Sequence, residues 1–227
     1  MRLITVEVRK CLDTRAGFAL VAAVAALTLV AAITQVTAGV GTASAAAVAA
    51  QWPVSVLLPV VALLAVTSEF TRRTALHTFA LVPSRNRVVA AKAVAVLVLV
   101  AAATVLAVLV GWVAAGGGPV PASVLAQLGL VNAVTMLCGL AFGMLLLHSA
   151  PAIVAFYAVP IGWSAAGQLV PALGRVSGWL DIAQSRVPLT EPGVTAREWA
   201  MFATSTALWV ALPAALGFLR VHRTDLS

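Results

Sequence analysis

Six stretches of this chain run for about the width of a bilayer with almost no charge. They are Gly17 to Ala38, Pro53 to Ser68, Val88 to Ala115, Ser123 to Leu147, Pro151 to Val170 and Glu198 to Leu219. A helix rising about 1.5 Å per residue needs about 20 apolar residues to cross ~30 Å of hydrocarbon. The backbone groups of such a segment must be satisfied internally, which in a chain of continuous apolar runs means helix. The expected fold is therefore all-α: one polytopic membrane domain over residues 1–227 with six transmembrane helices. Composition agrees, with 62% hydrophobic residues, 9% charged residues and a mean hydropathy of +1.07. The second stretch is short unless it borrows neighbouring residues, and the third is long enough to begin as a cytosolic extension around Lys92.

Charge orients these helices. The segment Ser68 to Lys92 carries Arg72, Arg73, Arg85, Arg87 and Lys92 against Glu69, so it cannot lie in hydrocarbon. Together with four cations before the first span and two after the last, it gives eleven Lys and Arg on one side. Only Arg175, Arg186 and Arg197 fall on the other. The excess predicts a cell-membrane protein with both termini and the basic segment in the cytoplasm. Trp52, Trp112, Trp179 and Trp199 would then stand near the outer ends of spans, where indoles collect, and Trp163 and Trp209 would pack at mid-span. A cleaved secretory leader is disfavoured, because the basic region before the first run is long and contains Glu7 and Asp13.

The connections are also legible. Residues 1–16 place Ile4, Val8, Cys11 and Leu12 at helical spacing, with Glu7, Arg9, Lys10 and Arg15 among the charges around them. This is either an interfacial helix or a basic tail that enforces orientation. Gly116-Gly117-Gly118-Pro119 marks a tight external turn. Residues 174–197 mix Trp179, Leu180 and Ile182 with Asp181, Arg186 and Glu191. They read as a structured cap or half-inserted hairpin, or as an ordinary loop.

Several chemistries find no support. The net charge of +7 sits at span ends without aromatic interleaving, so no nucleic-acid partner is expected. Neither lysine, Lys10 or Lys92, follows a glycine as a phosphate-binding loop requires, so ATP hydrolysis by this chain is not expected. Gly162-Trp163-Ser164-Ala165 partly matches an intramembrane serine-protease motif but lacks the following glycine, and the sixth span has no histidine base. No enzyme activity is expected. His77, His148 and His222 form no metal set, Cys11 and Cys138 have no ligand spacing, and no metal or cofactor is expected. No ionisable residue lies in the middle of a span, which disfavours a self-powered ion-coupled transporter. The polar residues in or near spans are Gln35, Thr104, Gln127, Asn132, Thr135, Gln168 and Thr204. Asn132 and Thr135 share a face of the fourth span with the small-xxx-small pair Gly139 and Gly143. Helix packing is favoured there over substrate contact.

Within the basic segment, Glu69, Arg73 and His77 are spaced to line one face of a helix that Pro83 would end. It is a handle for a soluble partner or a solvated loop. The run Glu69-Phe70, Thr74, Pro83, Arg85 or Arg87, and Lys92 resembles the cytosolic coupling loop (here residues 69–92) of permease subunits of type-2 ABC exporters. The opening Glu7-x-Arg9-Lys10 and Thr14-Arg15 is similar to that family's opening, and Arg73 stands where the family has glycine. The resemblance implies a separate ABC ATPase subunit docked on Glu69, Phe70, Arg72, Arg73, Thr74, Pro83, Arg85 and Arg87. It also implies a second permease chain, as homo- or heterodimer, completing an alternating-access pathway for a hydrophobic or amphipathic molecule. The alternative is a non-transporting immunity, sensor or interaction subunit of the same fold.

Overall fold

A computed structural model describes residues 5–9, 14–39, 42–71 and 85–223. Among them there is no strand, and six helices are long and apolar enough to cross a membrane, which makes this a multi-pass membrane protein. Residues 5–9 are helical. The chain continues with α1 (Arg15–Thr37), α2 (Ala43–Thr71), α3 (Arg85–Ala114), α4 (Ala122–Leu146) and α5 (Ser149–Leu169). Then come α6 (Pro171–Leu180), α7 (Ile182–Ser185), a 3-10 turn (Val187–Thr190), α8 (Ala196–Thr206), a π turn (Ala207–Ala211) and α9 (Leu212–Arg223). The sixth span is α8, the π turn and α9 joined end to end.

Local chemistry sets the boundaries. Thr14 Oγ1 accepts from Gly17 N at 3.0 Å and opens α1. Thr42 Oγ1 accepts from Ala45 N and opens α2 ten residues before the expected start, so this span is not short. The turn after α3 passes through Gly116, Gly117 and Gly118, with φ of 74°, 86° and 132°, and Trp112 Nε1 closes it by donating to Gly118 O. Thr195 and Glu198 form a capping box at the start of α8.

Near two of the prolines, Pro59 and Pro213, neighbouring helices supply a donor. Pro59 inside α2 leaves the Ser55 carbonyl without its helical donor, and the Tyr157 hydroxyl of α5 donates to the next carbonyl, Val56 O. Pro213 has no N–H for Trp209 O. The chain widens into the π turn at that point, and the Cys138 thiol of α4 donates to Trp209 O at 3.2 Å.

The core lies between α2, α3 and α4, where Leu58, Val61, Val96, Val100, Met136 and Leu140 are buried. Between lipid-solvated helices apolar burial gives little drive, so close backbone approach at small residues matters more. A Cβ on Gly139 would collide with Pro59 O, and one on Gly143 would come within 2.9 Å of Leu63 O. Gly111 sits equally close to Ala46, and Gly217 to Leu145. The expected pair Gly139 and Gly143 is thus a packing seam between α4 and α2.

Candidate functional site

The described part of the bundle holds two polar centres and a buried ion pair. The ion pair lies at the end where α2 finishes and α3 begins. Lys92, in the third turn of α3, places Nζ 2.7 Å from Glu7 Oε2 and 2.7 Å from the Ala65 carbonyl of α2. Lys92 is buried rather than part of a solvated cytosolic extension, because Glu7 and the Ala65 carbonyl replace water around its ammonium. Glu7 is 1% exposed, so the N-terminal segment is anchored to α2 and α3 through its charge, while Arg9 on the same segment is exposed. The same end carries the exposed Arg15 and Arg87, and Arg220 donates to Leu145 O at the end of α4. Thr67 of α2 and Ser149 of α5 join there at 2.8 Å.

Glu69 and Phe70 fall in the last turn of α2, and Arg85 is the first residue of α3. Lys10, Arg72, Arg73, Thr74 and Pro83 lie outside the described residues.

The first polar centre links three spans. Asn132 Nδ2 donates to Gln51 Oε1 at 2.7 Å and to Thr104 Oγ1 at 3.0 Å, and Gln51 Nε2 donates to Thr104 O at 3.1 Å. All three residues are buried. Thr135 takes no part, because its hydroxyl donates to Val131 O in its own helix. Asn132 therefore ties α4 to α2 and α3. Its partners Gln51 and Thr104 come from spans whose register no local pattern reveals.

The second centre is a helical hairpin that enters the bundle from the opposite end. After α5 the chain reverses at Val170 alone, and α6 runs back along α5 with Ser177 against Gly167. Leu180 O accepts from Trp209 Nε1 at 2.6 Å, and Trp209 stands thirteen residues from the start and twelve from the end of the sixth span, Ala196–Val221. The tip of the hairpin reaches toward mid-depth. Trp179 O accepts from Thr204 Oγ1, Ser185 and Ser205 hydroxyls join at 2.6 Å, and the Gln127 amide reaches the carbonyls of Leu189 and Glu191. Residues 174–190 are accordingly a structured helical segment packed against α4, α5 and the sixth span. Trp179 sits at its tip, away from the rim where an interfacial belt would put it, and Trp52 is on the third turn of α2. Trp112 and Trp199 keep their places near helix ends.

At the tip lies Asp181, 1% exposed. Its carboxylate accepts from Ser164 Oγ of α5 at 2.5 Å, from Ala183 N and Gln184 N as the cap of α7, and from Gln184 Nε2. Arg186, partly buried one turn on, is in electrostatic range of the Asp181 carboxylate and the Cys138 thiol. The hairpin thus brings a buried carboxylate and a partly buried guanidinium in among the spans. Sequence reasoning singled out the segment but not these roles. The legible signal was Asp181 itself, a helix-capping residue directly after the apolar pair Trp179-Leu180. Ser164 serves as a strap from α5 to this cap.

Comparison with protein-family models, with curated proteins and with solved structures gives no match to this chain.

Proposed function

We propose that the chain is the membrane-spanning permease subunit of an ATP-driven exporter of the type-2 ABC class. It would lie in the cell membrane with cytoplasmic termini and work beside a separate ATPase subunit and a second permease chain. The single observation that carries this reading is the buried contact of Glu7 with Lys92 and of Lys92 with Ala65 O. It ties the N-terminal segment, the end of α2 and the start of α3 into one unit at the end from which the basic residues 72–84 emerge. A motor pulling on that loop would move the N-terminal segment, α2 and α3 together, as alternating access requires. The eleven-to-three charge bias supports the orientation, and the resemblance of the loop supports the partner.

The test is co-purification from membranes with an ATPase subunit encoded beside this chain. Reversing Arg72 and Arg73 to Glu is expected to abolish recovery of the ATPase while membrane insertion stays intact, and undiminished recovery would refute the assignment. ATP-dependent efflux from reconstituted vesicles separates the exporter from an immunity or sensor subunit, which would bind without transporting.

A further inference from the structure

The hairpin leaves one charge unanswered. Asp181, the nearest carboxylate, already accepts four hydrogen bonds, three of them from its own turn, so its lone pairs are taken. Arg186 offers five N–H groups in a planar fork. Among the described residues this guanidinium makes no hydrogen bond and no ion pair within 4 Å, and only longer-range attraction to the Asp181 carboxylate balances it.

Its depth makes that costly. The chain on either side is held inside the bundle: Leu189 at Gln127, the sixth residue of α4, and Asp181 at Ser164, five residues short of the end of α5. Both anchors stand roughly 8 Å in from those helix ends. A guanidinium there meets acyl chains rather than water unless an anion accompanies it. Val187, next to it in the chain, is 63% exposed, and α5 and α6 expose further apolar side chains, Ile161 at 66% and Val176 at 42%. On this side a second copy of the chain could offer the anion only through Glu191, since Glu198 is taken up in the capping box of α8 and Glu7 is committed to Lys92 at the other end.

We propose that Arg186 and the apolar surface around it bind the acidic headgroup of a membrane amphiphile, whose phosphodiester oxygens fill the guanidinium fork while its acyl chains lie along α5 and the hairpin. The site needs no ATPase subunit, so it stands or falls independently of the exporter reading.

The chain purified alone in neutral detergent tests this, by native mass spectrometry and thermal unfolding with added phosphatidylglycerol, phosphatidylcholine or inorganic phosphate. The wild-type chain is expected to bind phosphatidylglycerol about tenfold tighter than phosphatidylcholine and to melt higher in its presence, with no protection by inorganic phosphate. Arg186→Gln should erase the preference, Arg186→Lys should keep part of it, and Arg197→Gln, which removes an exposed cation at the start of α8, should leave it intact. Equal binding of the two lipids by the wild-type chain overturns the proposal without reference to any variant. So does a preference that survives Arg186→Gln or disappears in Arg197→Gln. Protection by inorganic phosphate equal to that by phosphatidylglycerol would make this a small-anion site, and loss of self-association alone in Arg186→Gln would give the guanidinium to a second copy. Either result refutes the lipid assignment.

Discussion

Glu7 Oε2 and Lys92 Nζ lie 2.7 Å apart, with side chains 2% and 5% exposed. Eighty-five residues separate them in sequence, and the chain reaches the second only after crossing the bundle twice. Breaking a buried pair leaves a desolvated charge without its counterion, whereas removing both leaves none. Glu7→Gln or Lys92→Met alone should therefore lower stability by about 3–5 kcal/mol. The double variant should recover much of that loss, and thermal unfolding in detergent compares the three. Additive losses in the double variant would mean that the two charges do not sustain each other.

The seam between α4 and α2 leaves no room at Gly139, where a Cβ meets the Pro59 carbonyl, whereas nothing lies within 4 Å of a Cβ on Gly162. Gly139→Ala is expected to cost about 1–3 kcal/mol through forced separation of the two backbones. Gly162→Ala should change stability by less than about 0.5 kcal/mol. The same unfolding measurement distinguishes them, and equal effects would argue against close approach at Gly139.

Asn132 bonds two other spans and Thr135 only its own. Asn132→Ala should cost about 0.6–2 kcal/mol and leave Gln51 Oε1 without its donor, and Thr135→Val should cost less than either bound. Should Thr135→Val prove the more damaging, Thr135 would have a role outside the packing of this chain.

The hairpin is seated in part by the Trp209 indole on Leu180 O and by the contact of Ser185 with Ser205. In a chain with Cys11 and Cys138 replaced by Ser, Ser185→Cys should react slowly with a membrane-impermeant maleimide. Adding Trp209→Phe removes one hydrogen bond, and labelling should then rise by up to about tenfold. Equal rates in the two backgrounds would show that the indole does not hold the hairpin in place.

Much of the fold was legible because hydropathy is a local property. The runs at Val88 to Ala115 and Ser123 to Leu147 match α3 and α4 to within a few residues. The second span was the exception. Ala43 to Gln51 are, Val48 aside, small or polar enough to look like a loop, yet Ala46, Ala47 and Ala50 are wholly buried against neighbouring helices. Lys92 looked like solvated sequence for a similar reason, since hydropathy assigns a lysine to water and cannot know that Glu7 and Ala65 O await it.

The sequence by itself determined that six segments are long and apolar enough to cross a membrane, that glycines at 116–118 turn the chain, and that Gly139 and Gly143 stand one turn apart on the fourth span. These follow from composition and spacing within one segment. Only the tertiary structure decided that Gln51, Thr104 and Asn132 meet, that Glu7 closes on Lys92, and that residues 171–190 fold into the bundle and carry Asp181 and Arg186 to depth. The absence of charge from the spans was read as absence of charge at depth, and the hairpin separates the two. Hydrogen bonds and ion pairs join residues far apart in the chain, and their energies depend on burial, which no single segment specifies.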